Sequence, residues 1–560
     1  MTQRFSAVLL LLAALGCRQE WPADHLVLAT AAPVRTFDPR LAVDAASTRV
    51  WRLAFAGLTR VHPDGSTSLD LAAAMTPSAW DDAGRPLAWD VRLHTNRRFH
   101  DGRPVGAADI VCTYRSLLDP RLGSPIAGAF ARRFAAVRAV DDATVRFALR
   151  APLATFRSDI ILGIVPRSTC AGSGAPTLVA PVGAGPFRIA PDSTPDRVRL
   201  ERVAPTPPGR AAVVVVRAVA DEGARALSVL GGGADIATGL SPGALDAAGE
   251  HGRGRVVAVP GIAFSYLAFQ LEHPRLSDAR VRRALALGLD RAALVERLLR
   301  GRGRVAAAMM PPEHASSPPD LAPLPFDPAA AAHLLDAAGL RADAAGVRLR
   351  LRLLTTASRE RRSQAEAIAQ AYAPLGVQVE VRGLEIASLL QALGAGQFDL
   401  FLLGLPEPQE PDYQAWMFHS RNRPRSEPAL APPSGDTFAV EPACVPVAAR
   451  AAASAWLERA EQALGLPTAR GAGNRTGLHD PLLDCLLDLG QRETDPSPRA
   501  AIYHRVARRL AAQLPIVPLW HEHTAVLAGP RVVDPRPAAD GSYHGMAETA
   551  LGPAPASEEP

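Results

Sequence analysis

Between Asp327 and Leu403 the apolar residues recur first at helical spacing and then at strand spacing, and this alternation organises the middle of the chain. Asp327-Pro328 sets a capping carboxylate before a proline suited to the first helical turn. The apolar run through Leu334 and Leu335 stops at Gly339, which predicts a short capped helix. Val347, Leu349, Leu351 and Leu353 then alternate with Arg348, Arg350 and Arg352, the period of a half-buried strand. A helix over about 361–373, a strand through Val377, Val379 and Val381, a helix over 386–393 and a nearly continuous apolar strand over 398–403 follow. Strand, helix, strand, helix, strand predicts right-handed crossovers and a largely parallel sheet, its last strand covered on both faces.

The same reading extends outward. Ser277-Asp278 predicts the start of one helix through Val281, Leu285, Leu289 and Leu298 to Gly301. Asp495-Pro496 opens another that stops before Pro515, and Ile516–Trp520 reads as a strand. Prolines at 424, 428, 432, 433, 442 and 446 exclude regular structure there, so an inserted surface loop is expected, extended by an exposed helix over 448–464. The tail after Gly552 is expected to fray. Near the N-terminus, Trp89–Leu93 alternates as a strand, Asp101-Gly102 supplies a tight turn, and a helix runs from Ala107 through Leu118. His100 therefore lies on a hairpin-to-helix corner, a scaffold position rather than half of a His-Asp catalytic pair.

Length adds that 560 residues exceed one hydrophobic core, so at least two lobes are expected. With 48% hydrophobic and 21% charged residues the chain reads as globular. Its 61 basic and 56 acidic residues are spread without a basic stripe, which argues against nucleic acid as a partner. The absence of lysine removes Schiff-base chemistry and the usual phosphate-binding P-loop. No Gly-x-Ser-x-Gly elbow is present, and Gly183-Ala184-Gly185-Pro186 lacks the third glycine of a dinucleotide fingerprint, reading instead as a lobe-crossing turn. His521-Glu522-His523 lacks helical zinc spacing and is expected as an exposed strand end; no metal or other cofactor is expected.

Arg4, the apolar run Phe5–Leu15 and Gly16-Cys17 have the layout of a secretion signal too short to span a bilayer. Ala14-Leu15-Gly16-Cys17 resembles a bacterial lipobox, with Cys17 the lipidated first residue of the mature chain. Cys112, Cys170, Cys444 and Cys485 form no metal-spaced pair; they allow up to two disulfides in any of three connectivities, or buried thiols.

The order of further motifs resembles the family 5 extracellular solute-binding proteins, of the oligopeptide- and dipeptide-binding type. The residues that carry the likeness include Thr36-Phe37-Asp38-Pro39, Ala56-Gly57-Leu58, Phe99 to Asp109, Gly183 to Arg188, Ser277 to Leu285, Phe326-Asp327-Pro328, Phe398-Asp399-Leu400 and Leu514 to Trp520. The resemblance implies an α/β, two-lobed periplasmic-binding-protein fold of type II, with an extra subdomain and a ligand cleft between the lobes. It places a discontinuous first lobe at 18–57, 183–262 and 515–560, the extra subdomain at 58–182, and the second lobe at 263–514 with a Pro/Ala-rich insertion at about 421–472. It also implies a non-enzymatic monomer, anchored by lipid to the membrane outside the cytoplasm, whose partners are the permease and ATPase subunits of an ABC importer. By the same likeness Asn474-Arg475-Thr476 is second-lobe scaffold, a glycosylation sequon by spelling only.

Open α/β sheets bind ligands beyond the carboxyl ends of their strands. The strand ending at Leu403 runs into Gly404-Leu405-Pro406-Glu407-Pro408-Gln409-Glu410-Pro411-Asp412-Tyr413, three carboxylates in six residues. In peptide-binding members the equivalent loop carries a Trp and then an Asp that pairs with the ligand's ammonium; here Leu405 and Glu407 take those positions. A half-desolvated ammonium needs a charge partner that also accepts hydrogen bonds. Glu407, Glu410, Asp412, Tyr413 and Trp416 are the candidate ligand-binding residues. Other ligands consistent with the pattern are metal chelates, sugars and small amines or amides; other roles are a binding protein that signals to a receptor and, lacking a nucleophile, a hydrolase.

Overall fold

The computed structural model describes residues 21–62, 65–170, 181–423 and 473–553. Cys17, the insertion from 424 onward with its expected helix, and the tail beyond 553 lie outside them.

The first sheet has seven strands in the order Arg255–Val259, Thr524–Ala528, Ile236–Thr238, His25–Thr30, Val213–Ala218, Arg197–Arg202 and Phe187–Ile189. His25–Thr30 is parallel to both neighbours. Leu26 and Leu28 face one core, with Val50 and Leu53, while Val27 and Ala29 face a second, with Val229 and Leu245. Burial of both faces explains why its interior is apolar without alternation.

The second sheet has six strands in the order Gly303–Val305, Ile516–Glu522, Phe264–Phe269, Leu400–Leu405, Leu349–Thr356 and Val377–Leu384. The last three pair in parallel, as the strand-helix alternation predicts, with helices Arg359–Tyr372 and Ile386–Gly394 between them in sequence. Leu400 and Leu402 point to one core and Phe401 to the other, so this strand is covered on both faces. The sheet as a whole is mixed, because Gly303–Val305, Ile516–Glu522 and Phe264–Phe269 pair antiparallel. Phe264–Phe269 enters from one lobe crossing and Ile516–Glu522 runs out into the other, so the two neighbouring strands point opposite ways through the second lobe. Asp327 caps helix Pro328–Ala337 by accepting from the Ala330 N–H. The single helix expected from Ser277 to Gly301 is two, Ala279–Leu287 and Arg291–Leu299, the second capped by Asp290. The break falls at Gly288, where a Cβ would lie 2.1 Å from the Leu375 side chain.

The extra subdomain is a four-stranded antiparallel sheet, Ala72–Trp80, Pro86–Leu93, Thr144–Leu149 and Phe134–Ala139, packed on helix Ala107–Ser116 around its own core. A Cys112–Cys170 disulfide ties that helix to the turn at Arg167–Thr169. His100 fastens the subdomain to the turn at Gly183–Gly185, which leads into strand Phe187–Ile189 of the first sheet and so is not the lobe crossing expected from sequence: its Nδ1 accepts from the Gly183 N–H at 3.3 Å, and its Nε2 donates to the Gly185 carbonyl at 3.0 Å. That tautomer is neutral, and burial holds its pKa below the usual histidine range. Gly183 and Gly185 press on the end of helix Ala45–Ala54, where a Cβ would lie 2.0 Å from the Ala54 carbonyl and 2.5 Å from that of Leu53.

The chain crosses between the two large sheets at Pro260–Ala263 and returns at His523. Strand Ile516–Glu522 thus lies in the second sheet, and the first lobe resumes at Thr524 rather than at 515, because Ile516–Val517 pair with Leu267–Ala268. The two crossings touch at Gly261, where a Cβ would lie 2.2 Å from the Glu522 carbonyl.

Candidate functional site

The acidic loop leaves strand Leu400–Leu405 at the edge of the second sheet that faces the first lobe. Three small-scale features shape this edge. Gly404 lacks the Cβ that would lie 2.5 Å from Arg361 Nη2. Arg361 donates to Ser265 Oγ at 2.8 Å, and Ser265 Oγ donates in turn to Glu522 Oε1 at 2.9 Å, which Trp520 Nε1 also approaches at 3.3 Å. Glu360 is pushed above the usual carboxylate range by burial and by the negative charge of Glu522.

The three loop carboxylates meet different fates. Glu410 accepts from Ser158 Oγ of the extra subdomain at 2.5 Å and from Arg499 Nη2 at 3.0 Å. Asp412 accepts from the same Arg499 atom at 2.8 Å and from the Tyr503 hydroxyl; burial raises its pKa, with Arg499 and Tyr503 opposing. Both carboxylates are thus engaged by helix Pro496–Gln513. Nearby, burial lifts Asp159 to about 6 against the pull of Arg133.

Glu407 instead faces across the lobes. Its Oε1 accepts from Nη2 of Arg49, on helix Ala45–Ala54 of the first lobe, at 3.0 Å, and each side chain is 26% exposed. Arg49 lies over the Tyr543 ring at 5.8 Å. Other contacts span the same gap: Gln409 Nε2 reaches Asp540 Oδ2 at 3.5 Å, and Arg302 pairs with Asp246. Tyr413 and Trp416 begin the next helix, Tyr413–Phe418. Both are partly exposed and meet edge to face at 5.7 Å, with Arg475 over the Trp416 ring at 5.4 Å.

A cavity of about 310 Å³ opens beside Glu407, between the crossing at Pro260–Ile262, Met310–Pro311, His314 and Pro408–Gln409. Its lining is mostly apolar, with the Arg304–Glu313 ion pair on the wall. Burial lowers the His314 pKa. The volume falls at the small end of ligand pockets.

Arg49, Gln409, Asp540 and Tyr543 are absent from the residues expected from sequence. Only Gln409 sits in a motif that sequence singles out; the other three come from segments more than 100 residues from the loop. His521 is not at an exposed strand end: it is 1% exposed, its ring 5.4 Å from that of Phe264. Among the described residues no cluster of three or more His, Cys, Asp or Glu is arranged to hold a metal ion. Asn474 is wholly buried and its Nδ2 donates to the carbonyls of Phe418, His419 and Leu478, a scaffold role closed to glycosylation.

Two lobes of mixed sheet joined by two crossings, with a polar loop and a cavity where they meet, define a hinged solute-binding protein. Residues 71–424 match the description "Bacterial extracellular solute-binding proteins, family 5 Middle", and the chain belongs to that family. It is 28% identical over 492 residues to Protein XP55 of Streptomyces lividans, covering 85% of this chain and 80% of that protein. It is 24% identical over 436 residues to the dipeptide-binding protein of Pseudomonas aeruginosa, covering 70% of this chain and 78% of the relative. HbpA2 from Haemophilus parasuis shares the fold, with a TM-score of 0.75 at 19% identity over 94% of this chain and 100% of that one. No helix among the described residues is long and apolar enough to cross a membrane.

Proposed function

We propose that this chain is the substrate-binding component of an ABC importer, closing its lobes on a peptide or a related small amine-bearing solute and delivering it to permease and ATPase subunits. In this reading it works as a monomer held at the membrane by lipid on Cys17, and it binds without turning its ligand over. The observation that carries the ligand class is Glu407, the one loop carboxylate not held by its own lobe, aimed across the cleft beside a cavity. A carboxylate there offers both the charge and the acceptor that an ammonium loses on leaving water. Glu410 and Asp412 brace the loop, while Tyr413 and Trp416 lie at its rim. The name of the Pseudomonas relative fits the same ligand class. Contacts made only in the closed state bias the hinge toward closure.

The test is native mass spectrometry of the purified mature chain, for a ligand that co-purifies, together with thermal shift against a peptide pool. Occupancy or a rise in melting temperature is expected. Glu407→Gln is expected to weaken amine ligands by about tenfold or more, as loss of a charge-assisted hydrogen bond does. No ligand, no shift and no effect of the substitution would remove the reading.

A further inference from the structure

We propose that Arg49 is a specificity-determining residue of this cleft, making the site select ligands that carry an oxyanion close to their amine. The inference rests on the peptide-type reading above and adds to it a second charge requirement.

The cation that Glu407 now holds is the guanidinium of Arg49, at 3.0 Å. That guanidinium occupies a built seat. The Tyr543 ring lies 5.8 Å from its centre. Gly541, at φ 69°, leaves the room it needs, since a Cβ there would lie 2.7 Å from Nη2. Arg49 Nε is buried with no hydrogen-bond partner among the described residues.

A ligand ammonium that reaches Glu407 displaces Arg49 from its only ion pair among the described residues. The displaced guanidinium stays in its seat, partly withdrawn from water and unpaired, which is a costly state for a cation. A ligand that also presents a carboxylate replaces one ion pair with two, and the planar fork of a guanidinium suits a carboxylate with two parallel hydrogen bonds. A ligand with an amine alone exchanges one pair for another and leaves Arg49 uncompensated. Because Arg49 and Glu407 are in direct contact, the ligand charges they grip lie near each other, as in an amino acid or short peptide. The widely separated termini of a long peptide do not satisfy both.

The mature chain is titrated calorimetrically with L-alanyl-L-leucine and with L-alanyl-L-leucinamide, using wild type, Arg49→Gln, Arg49→Lys and Glu407→Gln. Wild type is expected to bind the free dipeptide about tenfold or more tighter than the amide, and Arg49→Gln to bring the two within about twofold. Arg49→Lys is expected to keep part of the preference, since it keeps the charge but not the fork. If Arg49→Gln leaves the ratio unchanged, or wild type binds both forms equally while Glu407→Gln still weakens both, the role of Arg49 is overturned and the peptide reading stands. If neither compound binds wild type and a peptide pool gives no thermal shift, the peptide reading falls and takes this inference with it.

Discussion

Replacing His521 with Phe should flatten the acid sensitivity of this protein. The ring is 1% exposed and packs 5.4 Å from that of Phe264, and neither ring nitrogen has a hydrogen bond of acceptable geometry among the described residues. Burial, reinforced by the positive charge of Arg304, brings its pKa down from 6.5 to about 4, while the nearby backbone of Ala308 and Ile262 opposes only in part. The folded pKa is below the unfolded one, so the stabilising contribution is fully present above pH 6.5. It is lost as pH falls toward 4, where the unfolded chain takes up a proton that the folded chain refuses. The drop from 6.5 to about 4, at about 1.4 kcal/mol per pH unit, makes the full loss about 3.5 kcal/mol, most of it above pH 4.5. Phenylalanine keeps the ring contact and removes the titration. Urea unfolding of wild type and variant between pH 7.5 and 4.5 is the assay. The expected result is equal or greater stability of the variant at pH 7.5 and a smaller loss on acidification, by up to about 3 kcal/mol. His544, also near 4, and Asp159, near 6 and of opposite sign, are common to both proteins and cancel in the difference. Parallel pH profiles would refute the reasoning, since they would mean that His521 protonates freely in the folded lobe.

Replacing both Cys112 and Cys170 with Ala removes a bridge spanning 58 residues. The loop-entropy picture puts its contribution at about 4 kcal/mol, so limited proteolysis should cut the extra subdomain first and the melting temperature should fall. Gly261→Ala places a methyl 2.2 Å from the Glu522 carbonyl and forces the two crossings apart. A loss of about 1–3 kcal/mol is expected, with a larger radius of gyration by small-angle X-ray scattering if the lobes splay.

The elements from Asp327 to Leu405 were legible because their causes are local. Asp327 caps its helix with its own side chain, and the alternation of Leu349, Leu351 and Leu353 with arginines follows from strand geometry alone. The break at Gly288 had local signals, a glycine stop and the Asp290 side chain that accepts from the Ala293 N–H, but the helical spacing of Leu285, Leu289 and Leu298 runs through it and masked them. The antiparallel half of the second sheet was not legible, because strand direction there depends on where the chain enters and leaves the lobe.

At the site, sequence marks the acidic loop through its composition and its place after a buried strand. It cannot rank the three carboxylates, because rank depends on who neutralises each. Arg499 claims Glu410 and Asp412 from about 90 residues away, leaving Glu407 to meet Arg49 across 358 residues of chain. What the sequence by itself determined is the family, most of the elements and the loop, all carried by periodicity, capping and motif order. Only the tertiary structure decided which acid faces the cleft, which cation opposes it and which histidine is sealed in a core. Charge pairing and desolvation act through space, between residues that chain order keeps far apart.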